Sequence, residues 1–153
     1  MDDMKGMKNG YLSLALQIAV SGVIMYLVMF VMIDGLGSFY NNLNMLYMTL
    51  MMVSPMVVLM ILAMGDMYPS KGANAAILSG SLVVFVGCFG LIRTQTTIGD
   101  DAFLRSMIPH HSGAILMCQQ ASLSDPEVIR LCQDIIKSQR EEIDQMKSIL
   151  ARG

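Results

Sequence analysis

Three long stretches without a charged side chain limit what this chain can become. Residues 11–33 read YLSLALQIAVSGVIMYLVMFVMI, residues 43–64 read LNMLYMTLMMVSPMVVLMILAM, and residues 73–92 read ANAAILSGSLVVFVGCFGLI. Crossing a hydrocarbon core takes about 20 apolar residues in a helix, because every backbone polar group there must be satisfied within the segment. Three transmembrane helices are therefore expected, making residues 1–93 a membrane domain. Lys5 and Lys8 precede the first stretch as they would in a signal peptide. The apolar run is too long for a signal core, however, and no small-x-small cleavage site follows it, so the first span is expected to be retained.

The links between these spans, DGLGSFYNN and GDMYPSKG, are short and rich in turn residues. Tyr11, Tyr40, Tyr47 and Tyr68 fall near span ends, where amphipathic rings favour the membrane interface. Lys5, Lys8 and Lys71 share one side, whereas only Arg93 follows the third span closely. The excess of basic residues belongs on the cytoplasmic side. This predicts a multi-pass protein of the cytoplasmic membrane with its N-terminus inside and everything after Arg93 periplasmic or extracellular. The net charge of −2 offers no basic field for nucleic acid, which leaves the lipid bilayer as the first partner.

Beyond a polar linker at 94–99 the pattern becomes amphipathic. A helix is expected from about residue 101 to 122, with Asp100 or Asp101 as its N-cap. SLSDPE then marks a second start, with Asp125 as N-cap, Pro126 at the first helical position and Glu127 placed favourably against the dipole. A second helix is expected over about 126–150, so residues 100–153 read as an antiparallel hairpin.

Each hairpin helix carries a seam at spacings of three and four. On the first it reads Leu104, Met107, His111, Ala114, Cys118 and Ala121, with His110 and Met117 at its edge. On the second it reads Val128, Cys132, Ile135, Gln139, Glu142, Met146 and Ile149. Such seams are normally apolar, yet both helices aim polar groups inward at mid-height. A buried imidazole or carboxylate must pair, bind an ion or meet water. Both histidines of the chain lie here, beside Met107, Met117 and Cys118. Imidazole, thioether and thiol on one face suit Cu(I), or Ag(I) as its mimic, whereas a hard ion wants oxygen ligands. Pro109 releases the carbonyl of Arg105 and is expected to bend the helix beside them. The competing reading is that the polar groups satisfy one another and set helix register.

The segments DDAFLRSMIPHHSGAILMCQQA and DPEVIRLCQDIIKSQREEIDQMKSIL resemble the domain of unknown function 305 family. Its pattern is an acidic residue, Phe, Met-Ile, a His-His pair, Ala-Ile-x-Met, and later Gln-x-x-Glu-Ile-x-x-Met. The likeness covers about residues 100–150. The family is similar to ferritin-like helical bundles, and some members are exported proteins linked to copper binding and resistance. The resemblance implies a copper site through Met107, His110, His111, Met117 and Met146, with Gln139 and Glu142 as core partners. Family members often carry the two-helix unit twice, whereas this chain has it once.

A lone hairpin leaves part of each seam wet, so a homodimer completing a four-helix ferritin-like bundle is expected. The fold class is thus all-α: three transmembrane helices followed by a soluble two-helix hairpin. A di-iron site is not expected, because it needs several carboxylates and Glu-x-x-His on two helices. Cys118 and Cys132 lie on apolar faces outside any catalytic signature, so no enzyme is expected. If the domain is exported they can form a disulfide, which removes Cys118 from the ligand list. Met48, Met52, Met56, Met60 and Met64 recur every fourth residue of the second span and are read as flexible packing rather than an ion path. Cys88 is read as packing as well, with close helix approach through Gly80, Gly87 and Gly90. Met1, Met4 and Met7 are a weaker hint of metal binding. The function expected is a membrane-anchored copper-binding protein for buffering, resistance or delivery, with a copper transporter or oxidase as a partner. The alternative is an accessory membrane subunit whose polar core only pairs helices.

Overall fold

The computed structural model describes the backbone of residues 2–152 and the side chains of residues 10–152. The side chains of Met1, Met4, Met7, Lys5 and Lys8 lie outside the described residues. Five α-helices follow one another, and no strand occurs among the described residues: α1 (Asp2–Val28), α2 (Leu43–Ala63), α3 (Lys71–Thr94), α4 (Asp100–Gln120) and α5 (Pro126–Leu150). They form two compact units, one of residues 1–27 and 46–95, the other of residues 28–45 and 96–153.

Gly10–Val28, Leu43–Ala63 and Lys71–Thr94, which lie mostly in the first unit, are each long and apolar enough to cross a membrane. Their apolar side chains point largely outward: Leu16, Leu59 and Val83 are 65%, 66% and 71% exposed. Such surfaces mark a partner or a membrane. Leu14, Ile61 and Tyr68 form the small core, with Tyr11, Ile18, Met60, Ile77 and Leu78 packed on it. At one end the Tyr11 hydroxyl donates to Asn74 Oδ1 at 2.8 Å, and Asn74 Nδ2 donates to the Tyr68 carbonyl at 2.7 Å. Tyr68 is buried in this core, 2% exposed. Along the methionine ridge, Met48, Met52 and Met64 are 40%, 48% and 39% exposed, and Met60 packs on the core. Cys88 is buried and free.

The first apolar run does not stay helical to its end. The helix stops at Val28, and residues 29–33 turn into a link containing a short 3-10 turn at Leu36–Ser38. Asp34, Gly35 and Gly37 disfavour continuation, and Phe30 is instead buried against the ring of Phe39 at 4.2 Å. Asn42 then caps α2, its Oδ1 accepting the Met45 N–H at 2.9 Å.

In the second unit, α4 and α5 make the expected hairpin. Asp125 caps α5 by accepting the N–H groups of Glu127 and Val128 at 2.8 and 3.4 Å, and Pro126 follows at the first position. The N-cap of α4 is Gly99 rather than an aspartate, and Asp100 and Asp101 fall in the first turn, where negative charge also suits the dipole. The helix continues through Pro109, which is buried. Leu104, Ile108, Ile115, Ile143 and Met146 form the core, with Tyr40, Met107, Ile136 and Leu150 against it.

Two corrections to the expected seams follow. On α5 the buried stripe runs through Ile136, Ile143, Met146 and Leu150, while Val128 and Ile149 are 40% and 37% exposed. On α4 the buried surface is wider than one seam, because α5 covers one side and the link 28–45 covers another. Ser112 lies at the second contact and is fully buried. It accepts the Asp34 N–H at 2.7 Å and donates its own proton to Asp34 Oδ1. Asn44 Nδ2 donates to Ser106 Oγ at 3.2 Å beside it, and Met32 lies against Gly113.

Candidate metal centre

The polar centre of the hairpin is built on His111. In α4 its ring is one turn beyond Met107, and Nδ1–H donates to the Met107 carbonyl at 2.9 Å. Nε2 lies 2.6 Å from Oε2 of Glu142 on α5. A carbonyl oxygen can only accept, so Nδ1 carries the proton directed at Met107, and Nε2 is the nitrogen that faces the Glu142 carboxyl. The imidazole is nearly enclosed, with its side chain 10% exposed, whereas the Glu142 side chain is 50% exposed. Water can therefore reach one partner, and the bridge is a half-buried one.

Antiparallel register sets the neighbours. His111 faces Glu142, so Met107, one turn back on α4, comes level with Met146, one turn on along α5. Met146 is buried in the hairpin core, and Met107 packs against that core. One turn the other way, Gln139 brings a buried Oε1 that has no hydrogen-bond partner, an orphan that should find a donor or a cation. Met107, His111, Glu142, Met146 and Gln139 are therefore brought to one stretch of the interface.

The other expected ligands are not part of it. His110 is exposed, its ring centre 6.0 Å from that of His111 and edge-on to it. Met117 is 54% exposed. Cys118 is joined in a disulfide to Cys132, so its sulfur is unavailable as a thiolate in this state. No cluster of three or more His, Cys, Asp or Glu side chains suited to a metal occurs among the described residues. The donors this stretch could offer an ion are the thioethers of Met107 and Met146, the His111 imidazole and the oxygens of Glu142 and Gln139.

Sequence reasoning missed Ser112 and Asp34, which dock the link onto α4. A buried serine beside two histidines looks like an ordinary helical position, and Asp34 looks like an ordinary turn residue. Only the tertiary contact gives them a role.

Residues 90–150 match the profile of a family described as a domain of unknown function (DUF305). An uncharacterized protein of Acanthamoeba polyphaga mimivirus is 36% identical over 119 residues, covering 76% of this chain and 76% of that protein. The chain belongs to the DUF305 family. No solved structure matches the chain. The DUF305 segment starts inside α3 and ends with α5, so it contains the His111–Glu142 bridge, both methionines and the disulfide. The stretch shared with the viral relative is longer than everything after α3, so that likeness extends into the apolar helices.

Proposed function

We propose that this DUF305 protein is a membrane-anchored binding protein for a soft monovalent metal, Cu(I) or its mimic Ag(I), serving buffering, resistance or delivery. One observation carries the reading: Met107 and Met146 come level on facing helices, one turn from the His111 imidazole. Two thioethers and an imidazole are the donor set such an ion prefers. The orphan oxygen of Gln139 and the carboxylate of Glu142 border the same space. Ligation through Nε2 requires Glu142 to turn away, which its exposure permits. When bound, the metal would neutralise and cross-link donors from both helices. This reading makes the protein a carrier rather than a catalyst, with a copper transporter or oxidase as the receiving or supplying partner.

The same proposal sets the hairpin outside the cytoplasm and the N-terminus inside, in a cytoplasmic membrane crossed three times. Lysine placement supports it. So does the grouping of the link 28–45 with the hairpin, because three crossings put those two segments on one side. The Cys118–Cys132 disulfide suits an oxidising compartment. Exposed apolar residues on the hairpin, among them Phe103 at 50% and Leu131 at 58%, support pairing with a second copy into a four-helix bundle.

A second reading is supported by the 2.6 Å His111–Glu142 contact itself: the polar core pins helix register in an accessory membrane subunit. Titration of the oxidised full-length protein in detergent with Cu(I), against a competing chelator, separates the two. The metal reading expects stoichiometric uptake, weakened at least tenfold when Met107→Leu and Met146→Leu are combined. Absence of uptake, or uptake indifferent to those changes and to His111→Ala, leaves the structural reading. For sidedness, a reporter fused after Gly153 that works only in the cytoplasm rejects the outward assignment.

A further inference from the structure

The hairpin has a second group of soft donors two turns beyond His111, at its loop end. Cys118 in the last turns of α4 and Cys132 in the first turns of α5 are half-buried, and their Cα atoms are 5.2 Å apart. They open onto a cavity of about 260 Å³ whose other lining residues are Ala121, Leu123, Ile129, Gln133 and Ile136. Gln133 is the single polar side chain among these five, and none of them is charged.

Two features hold the cysteines opposite each other independently of the bond between them. The link 121–125 is short and ends in the Asp125 cap. On the other side, the His111–Glu142 bridge and the core around Ile115 and Ile143 tie the helices together. Opening the disulfide therefore leaves two sulfurs facing one another across a preorganised gap. Thiolates in apolar surroundings are costly unless a cation neutralises them, and thiolate is the softest protein ligand. Among the described residues no third His, Cys, Asp or Glu joins the pair, which disfavours a four-coordinate zinc site and favours an ion content with two ligands.

We propose that Cys118 and Cys132, once reduced, form a second metal site that holds Cu(I) or Ag(I) between two thiolates, gated by the redox state of the pair. It deepens the soft-metal reading above and rests on it for its physiological sense, but it uses none of the same ligands. The gating step balances as follows: a dithiol reductant gives two electrons and two protons to the Cys118–Cys132 bond and becomes a disulfide itself. The two new thiols then release their protons as the ion binds. In the oxidised state the site is closed and only the His111 tier remains.

The test compares oxidised full-length protein with protein reduced by a dithiol and desalted under inert gas, both in detergent and both titrated with Cu(I) against a competing chelator. The reduced form is expected to take up one equivalent more than the oxidised form, with a thiolate-to-copper charge-transfer band in the ultraviolet. Cys88, free in both forms, cancels in the difference. Cys118→Ser and Cys132→Ser are each expected to remove the extra equivalent and the band. Circular dichroism of the reduced wild-type protein, which lacks the bond but keeps every side chain, establishes that the hairpin stays folded without it. Equal uptake by the two forms overturns the proposal, as does an increment that survives either substitution or a hairpin that unfolds on reduction. Uptake by the reduced form alone supports the dithiol site while rejecting the His111 tier, and uptake by both forms without an increment does the reverse.

Discussion

His111 on α4 and Glu142 on α5 meet at 2.6 Å through Nε2 and Oε2, and this is the polar contact that ties the hairpin across its middle. Its geometry sets two helices in register, since a shift of one residue on either would turn one partner away. The contact should be measurable as a coupling. Charge-assisted hydrogen bonds contribute about 1.5–3 kcal/mol when enclosed, and the exposure of Glu142 argues for the lower end. A double-mutant cycle with His111→Ala and Glu142→Ala, read by denaturant unfolding, is expected to show a coupling of about 1–2 kcal/mol. Strict additivity of the two losses would mean the contact does not hold the helices.

The link 28–45 should respond to Ser112. Its hydroxyl accepts from the Asp34 N–H and donates to the Asp34 carboxylate, and the serine has no exposed surface. Ser112→Ala is expected to lower stability by about 1–2 kcal/mol. Hydrogen exchange should rise across residues 28–45 with little change along α5. Unchanged protection in the link would show that Asp34 is not held by this serine.

Gly113 tests the same surface by volume. A Cβ there would lie 3.5 Å from the Met32 carbonyl oxygen and 3.8 Å from Met32 Cβ, which is ordinary contact. Gly113→Ala should therefore be tolerated and gain up to about 1 kcal/mol from helix propensity. Gly113→Leu should push the link away, with proteolytic cleavage appearing within residues 28–45. A destabilising alanine would contradict the room for a Cβ beside Met32, and a leucine without effect would contradict the packing of the link against this face.

The disulfide closes a loop with a sequence separation of 14. Constraining an unfolded loop of this size is worth about 3 kcal/mol in the chain-entropy account. Cys118→Ser is expected to lower the unfolding free energy of the oxidised protein by about 2–3 kcal/mol. Reduction of the wild-type protein should reproduce most of that loss. A stability insensitive to both would indicate that the bond does not form in the folded protein.

Much of this was legible in the residues because it rests on local rules. The uncharged runs dictate apolar helices, since a backbone in lipid has no other way to satisfy its hydrogen bonds. Asp125 and Pro126 announce the start of α5 because an N-cap acceptor and a proline at N1 act within one turn. The spacing of Met107, His111, Glu142 and Met146 follows from helical periodicity, so their shared face could be read along with the identity of the donors.

Other features depended on what packs against what. Ile143 and Ile136 replaced Val128 and Ile149 in the core because several faces of α5 carry apolar residues, and the choice among them is made by the shape of α4. His110 and Met117 were left outside because α4 is oriented by two neighbours, α5 and the link, and not by its own pattern. The apolar run 11–33 reads as one helix, yet Phe30 and the residues around it leave α1, and that break cannot be seen without the burial of Phe30 and the hydrogen bonds between Asp34 and Ser112. Sequence alone determined the number of long helices, the start of α5 and the soft donors, because those obey interactions within a few residues. The tertiary structure decided which donors face one another and where the link docks, because those depend on contacts between residues as far apart as 34 and 112.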